Sequence, residues 1–264
     1  MAPVTFLSDY GLADDFVGVC HAVIARIVPD VRVIDLTHGI PRHDVRTGAL
    51  TLARALPYAP AGVHLAVVDP EVGTERRAVA IRCADEGRIL VGPDNGLLMP
   101  AAEAFGGAVE AVDIARSPHR LEPVAATFHG RDLFAPVAAQ LATGAELAGA
   151  GDPLPVDELA LLPLPAPSIT EDRIEAHAIA FDGFGNVQLN VTHDQLAGSG
   201  LKLGRAVTAN GERAQFARTF AEVAAGELLL YEDAYRSLAL AVNRGSAAER
   251  LGLGADDPVV LEPA

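Results

Sequence analysis

The sequence predicts an α/β protein of two domains: an N-terminal, mostly parallel α/β sandwich and a smaller C-terminal all-β barrel. Three observations carry this. Strand-like and helix-like segments alternate through the first half, the pattern of a parallel sheet with right-handed crossovers. Prolines then gather at Pro153, Pro155, Pro163, Pro165 and Pro167, a semi-rigid linker signature. Beyond them the apolar runs become short and closely spaced, as in a small barrel or sandwich. The division is placed at about residue 168, giving domains 1–168, with the linker 151–168 included, and 169–264.

Taken in order, Val4-Thr5-Phe6-Leu7 is a short strand ending in Ser8-Asp9. Asp14 or Asp15 can cap a helix from Phe16 to Ile27, with Phe16, Val19, Cys20, Val23 and Ile27 on one face. Val31 to Leu36 is the next strand, and Thr47 to Leu56 a helix. Val63 to Val68 is an apolar strand, followed by strands at 78–81 and 89–91. A helix near 97–105, a strand near 109–112 and a helix from Arg131 to Leu141 complete the half. The second half offers strands at 174–181, 187–191, 228–231, 238–242 and 259–261.

The chain has 264 residues, half of them hydrophobic, and a net charge of −15. That size allows a substantial core. The charge argues against a nucleic-acid binder, which needs clustered basic surface. An acidic chain suits a cationic ligand, although solubility alone also explains acidity. Lys202 is the only lysine, so positive charge is almost entirely arginine. Cys20 and Cys83 lie far apart without CxxC spacing and read as reduced core residues. There is no signal-peptide pattern and no run long enough to span a bilayer. The expectation is a cytoplasmic protein with neither a nucleic-acid nor a membrane partner.

The most informative stretch runs from Val67-Val68-Asp69-Pro70 through Glu71, Val72 and Gly73 to Arg76-Arg77. Open α/β sheets bind ligands beyond the carboxyl ends of their strands. A buried strand that delivers Asp69 and Arg76 to that edge therefore reads as a site. Pro70 fixes φ on entry to the turn, and Gly73 lets the backbone reverse. Arg76 beside Asp69 would hold the carboxylate ionised, a good orienting group and a poor free base. A purely structural ion pair fits the same spacing.

Phe128-His129-Gly130-Arg131-Asp132 precedes a helix. Histidine suits proton movement near neutral pH, and a helix N-terminus offers N–H groups to an anion. A loop histidine satisfied by its neighbours fits equally. Asp9 could accept two ribose hydroxyls or cap a turn. Asp182-Gly183-Phe184-Gly185-Asn186 could present Asn186 to an adenine edge or be a plain hairpin turn. No GxGxxG follows a strand, and Walker A, GxSxG and HExxH patterns are absent. The eight histidines show no metal-ligand spacing in the linear sequence.

Together these segments resemble the S-adenosylmethionine (SAM) hydroxide adenosyltransferases, or SAM hydrolases, relatives of the fluorinating and chlorinating SAM enzymes. Ser8-Asp9-Tyr10-Gly11 with Asp14 and the Asp35–His38 segment carry the resemblance, as do Val68 to Thr74 and Pro93-Asp94-Asn95-Gly96. The Phe128–Asp132, Asp182–Asn186 and Ala241-Val242-Asn243 segments extend it over nearly the full chain. The resemblance implies that Asp69, Arg76 and His129 are catalytic and that Asp9 holds the ribose hydroxyls. It implies substrate-binding positions at Asp14, Asn95, Gly130, Phe184 and Val242, at Asp182 for methionine and at Asn186 for adenine.

It also implies homotrimers with active sites between the N-terminal domain of one subunit and the C-terminal domain of the next. SAM is then the substrate, adenosine and L-methionine are the products, and no metal or other cofactor is required. In the halogenating relatives the Asp69 and His129 positions lack this polar pair. The fluorinating enzyme has serine in place of Gly130 and an insertion where this chain has only Cys83 to Gly87. These differences favour water over halide. Glu71 departs from the family's usual glycine, which bears on the turn's conformation.

The expected reaction is in-line attack of water or hydroxide on C5′ of SAM. Three rivals stand beside it: a SAM- or adenosine-binding module with incidental turnover, a halogenase, and a metal-dependent hydrolase using Asp9, Asp14, His38 and His43.

Overall fold

A computed structural model describes residues 1–264, which divide into two compact units, Met1–Leu162 and Pro163–Ala264. The proline-rich stretch is thereby shared between them. Pro165 belongs to the second unit, where its carbonyl accepts a 2.9 Å hydrogen bond from Asn190 Nδ2. The division inferred from the proline run, about residue 168, lies a few residues further along.

In the first unit the elements are β1 (Val4–Ser8), α1 (Phe16–Ile27), β2 (Val33–Thr37), α2 (Val45–Ala55), β3 (Val63–Val67), β4 (Ala78–Cys83) and β5 (Ile89–Pro93). They continue with α3 (Met99–Ala104), β6 (Ala108–Asp113), a π-helical turn (Gly130–Phe134) running into α4 (Ala135–Ala142), and β7 (Asp152–Leu154). The sheet order is β2-β1-β3-β5-β4-β6-β7. Strands β2, β1, β3 and β5 pair in parallel, and β4, β6 and β7 extend the sheet antiparallel. The change of sense follows from the short β4–β5 connection, which has room for a tight turn and none for a crossover helix. Glu86 and Gly87 make that turn at φ 57° and 60°.

β3 is buried along its whole length, as expected of a strand covered on both faces. Val4, Phe6, Leu65 and Val67 pack with Cys20 and Ile24 of α1 and Val137 of α4. On the other face Leu7, Ala66 and Val68 pack with Leu52 of α2 and with Leu97 and Ala101. Residue 15 precedes α1, but its carboxylate makes no capping hydrogen bond. The buried stripe of α1 is Val17, Cys20, Val23 and Ile24, a rotation from the predicted face that leaves Phe16 40% exposed. Asp44 caps α2 through Thr47 N–H at 2.9 Å. Both cysteines are free and buried, and no helix is long and apolar enough to cross a membrane.

The second unit contains β8 (Ser168–Ile169), β9 (Ile174–Phe181), β10 (Val187–Thr192), β11 (Ala206–Ala209) and β12 (Glu212–Phe216). It ends with β13 (Leu228–Glu232), β14 (Ser237–Val242), α5 (Ala247–Leu251) and β15 (Pro258–Pro263). Strands run β10-β14-β13-β12-β11-β15-β9, and β9 pairs back to β10, closing a seven-stranded barrel with β8 as an outer addition. Ile174, Ala176, Val187, Leu189, Leu230 and Leu240 fill its interior, in the alternation a barrel requires. The β11–β12 hairpin went unpredicted because its strands are rich in polar residues. Its turn, Asn210-Gly211 at φ 51° and 81°, nevertheless carries a strong hairpin signal.

Candidate active site

The site of the first unit forms where β1 and β3 end side by side. Ser8 pairs with Val67, so the next residues of each strand, Asp9 and Val68-Asp69, emerge at the same sheet edge. Asn95 fixes this exit: its Nδ2 donates to Val68 O at 2.9 Å and its Oδ1 accepts from Leu97 N at 3.2 Å. Asn95 does not line the cleft, and its side chain braces the strand that delivers Asp69. Gly73 turns at φ 82°, and a Cβ there would run 2.6 Å from the Ala126 carbonyl oxygen. The left-handed position is thus Gly73, while Glu71 is exposed and has no positive φ, so the turn accommodates this departure.

Asp69 and Arg76 form a buried fork, with side chains 5% and 3% exposed. Arg76 Nε donates to Asp69 Oδ1 at 3.0 Å, and Nη2 donates to Oδ2. The same Nη2 lies 3.2 Å from His129 Nδ1. A guanidinium can only donate, so Nδ1 accepts. Neutral His129 therefore carries its proton on Nε2. The Phe134 ring supports both partners, 5.5 Å from the guanidinium carbon of Arg76 and 6.4 Å centroid to centroid from His129.

Burial and the neighbouring Arg76 depress the pKa of His129 against the opposing pull of Asp69 and Asp132. Burial raises that of Asp69, outweighing Arg76 and His129. This reverses the balance that the Asp–Arg pairing alone suggested: Asp69 is a better proton acceptor than an exposed aspartate.

Asp9, Asp14, Asp69, His129 and Gly130 line one cleft of about 250 Å³. Asp9 Oδ2 accepts from His43 N–H at 2.9 Å, which orients the carboxylate. His43 achieves this at φ 65°, a strained conformation for a non-glycine residue. Gly130 is held small by Tyr10, since a Cβ would overlap the Tyr10 hydroxyl. Tyr10, Phe16 and Phe128 form an aromatic wall with centroids 5.1–6.0 Å apart. Sequence reasoning missed Arg42 and Thr127 of the lining and offered His43 only as a metal ligand; the residues around Arg42 give no local signal for it.

In the second unit a separate groove of about 470 Å³ is lined by Phe184, Asn186 and Val242, together with Phe220, Arg244 and Ser246. Asp182 organises the turn beneath it. Its Oδ1 accepts from Phe184 N at 2.9 Å and Asn186 N at 3.0 Å, and its Oδ2 from Asn186 Nδ2 at 2.7 Å. Phe184 is 82% exposed. Arg244, which sequence reasoning missed, is exposed at φ 62°.

The alternative metal set of Asp9, Asp14, His38 and His43 does not assemble. His38 turns to Ser8, Asp35 and His21, and His43 meets Asp9 through its backbone.

Residues 4–151 match the SAM hydroxide adenosyltransferase N-terminal domain and residues 176–260 its C-terminal domain. The chain belongs to the SAM hydroxide adenosyltransferase family. It is 49% identical to the (R)-S-adenosyl-L-methionine hydrolase of Salinispora tropica over 97% of both chains. The hydrolase of Thermus thermophilus is 44% identical over 99% of this chain and all of that one. A fluorinase from Actinoplanes is more distant, at 28% over 75% of this chain and 74% of its own. Among solved structures, an uncharacterised conserved protein from Thermotoga maritima superposes with a TM-score of 0.90 at 34% identity, covering 98% of this chain and 99% of that one.

Proposed function

We propose that this protein hydrolyses SAM to adenosine and L-methionine by in-line attack of water on C5′. The observation that carries the reading is the single Arg76 nitrogen that joins Asp69 and His129 in a cleft shared with Asp9. Methionine leaves a sulfonium as a neutral thioether, so no acid is needed on that side. The demand falls on water, a weak nucleophile that must lose a proton.

His129, neutral and protonated at Nε2, donates to the water and points a lone pair at C5′. Asp69 takes the proton as the O–C5′ bond forms and the C5′–S bond breaks, its electron pair passing to sulfur. Arg76 keeps the carboxylate and the imidazole in register and offsets the charge that builds on oxygen. Asp9 holds the ribose hydroxyls, and Asp14 stands at the cleft's rim. No step calls for a metal or another cofactor.

The cleft of about 250 Å³ is smaller than the roughly 300–1,000 Å³ that encloses a ligand of this size. The second unit's groove, with the exposed Phe184 and Arg244, supplies the missing surface from a neighbouring subunit of a homotrimer. There Asn186 reads adenine, Asp182 receives the methionine ammonium, and Phe184 and Val242 form walls. The two free thiols suit the cytoplasm.

Purified, chelator-treated protein incubated with SAM should yield adenosine and methionine by chromatography. His129→Ala should lower turnover about 10²–10⁴-fold, the worth of one positioned acid–base group, with SAM still bound. Unchanged SAM beside protein that binds it would leave a binding module instead.

A further inference from the structure

We propose that His21, Asp35 and His38 form a binding site for a zinc-class divalent transition ion, outside the catalytic cleft. The three come from α1, β2 and the loop after β2. His21 Nε2 lies 2.8 Å and His38 Nε2 3.1 Å from the same oxygen, Asp35 Oδ1. All three ligand atoms fall within 4.8 Å of one another. Zinc takes nitrogen and carboxylate oxygen at about 2.0–2.2 Å, which puts tetrahedral ligand atoms roughly 3.3 Å apart. Small side-chain adjustments reach that spacing.

His38 supplies the independent observation. Its side chain is 2% exposed, and its buried Nε2 makes no hydrogen bond, although Asp35 Oδ1 is 3.1 Å away. A buried polar nitrogen without a partner is costly and uncommon. Its other nitrogen, Nδ1, is 2.7 Å from Ser8 Oγ, which can accept a hydrogen bond from Nδ1–H and leave Nε2 its lone pair. Metal-bound histidines are oriented in this way by an outer partner. Phe6 holds the ring edge-on with centroids 4.7 Å apart.

Two imidazoles with one carboxylate select zinc, cobalt or iron over calcium and magnesium, which prefer all-oxygen sites. The His21 and Asp35 side chains are 35% and 42% exposed, so an ion can enter and water can complete its coordination. On binding, the proton of His21 Nε2 is displaced and the ring is protonated at its outer nitrogen instead. The bound ion would clamp α1 to the end of β2. Through Ser8 it would also brace the strand end that presents Asp9.

The test uses the full-length chain, stripped with chelator and titrated with Co²⁺ followed by visible absorption, and with Zn²⁺ by equilibrium dialysis. One ion per chain should bind saturably. His21→Lys keeps a hydrogen-bond donor for Asp35 and removes the imidazole ligand; Asp35→Asn weakens the third donor. Each should weaken binding by more than the about 10–100-fold that a lost outer-shell partner costs, with circular dichroism reporting an intact fold. No saturable uptake by the native chain, or uptake undiminished in both variants, would overturn the site and leave a hydrogen-bonded cluster.

Discussion

Arg76 makes the pairing of Asp69 with His129 chemically specific. It donates to both, so His129 is committed to one tautomer and Asp69 to an ionised fork. The pH dependence follows from the two shifts. His129 is depressed below 6.5 and is neutral at pH 7. Asp69 is raised above 3.8 and gains its proton earlier on acidification than an ordinary aspartate. Turnover should be flat through neutrality and fall in acid as His129 and Asp69 gain protons. Arg76 lowers the Asp69 pKa, so Arg76→Lys, which loses the fork, should move that acid limb to higher pH and reduce kcat at least about tenfold. A pH–rate profile checks this, and a limb that stays in place would detach Arg76 from Asp69 ionisation. Gly130 is a second residue with a physical reason. Any larger side chain there collides with the Tyr10 hydroxyl unless the cleft wall is rebuilt.

At the scale of elements, β3 is the spine of the first unit, and it contains one buried ionisable group. His64 is 0% exposed. Arg88 Nη1 donates to its Nε2 at 3.1 Å, so Nδ1–H donates to Thr5 Oγ1 at 2.9 Å. Burial, aided by Arg88, pushes its pKa from 6.5 down to about 3. The unfolded chain binds a proton near 6.5 that the folded chain refuses, so this group's stabilisation is complete above that pH. It is lost as pH falls toward 3, at about 1.4 kcal/mol per pH unit. Urea unfolding at pH 7, 6 and 5 should show that slope reduced in His64→Gln, which removes the titration. Equal slopes in the two proteins would mean that His64 is protonated in the fold. Strand β3 and the helices α2 and α3 were legible as elements from their apolar runs, whereas the β11–β12 hairpin was not. Its polar residues hide the alternation, and only Asn210-Gly211 marks the turn.

At the scale of the molecule, two separate cores carry the two halves of the proposed site. Mixing His129→Ala with Asn186→Ala chains and allowing subunit exchange should restore about a quarter of native activity in a homotrimer. An intact catalytic half then meets an intact neighbouring half in that fraction of interfaces. Restored activity requires sites built between chains, and none after demonstrated exchange would place each site within one chain. Which residues stand at strand ends was settled locally, by apolar runs that stop at Ser8-Asp9 and Val68-Asp69 and by the glycine that must follow. The same patterns fixed the α/β-then-β order of the chain. Tertiary structure alone decided that β1 lies between β2 and β3. That sheet order brings Asp9, Asp69 and His129 to one edge and turns His38 toward His21 and Asp35. It also set the sign of the Asp69 shift, because the competition between burial and an arginine depends on how much water the fold removes, and no spacing in the sequence records that.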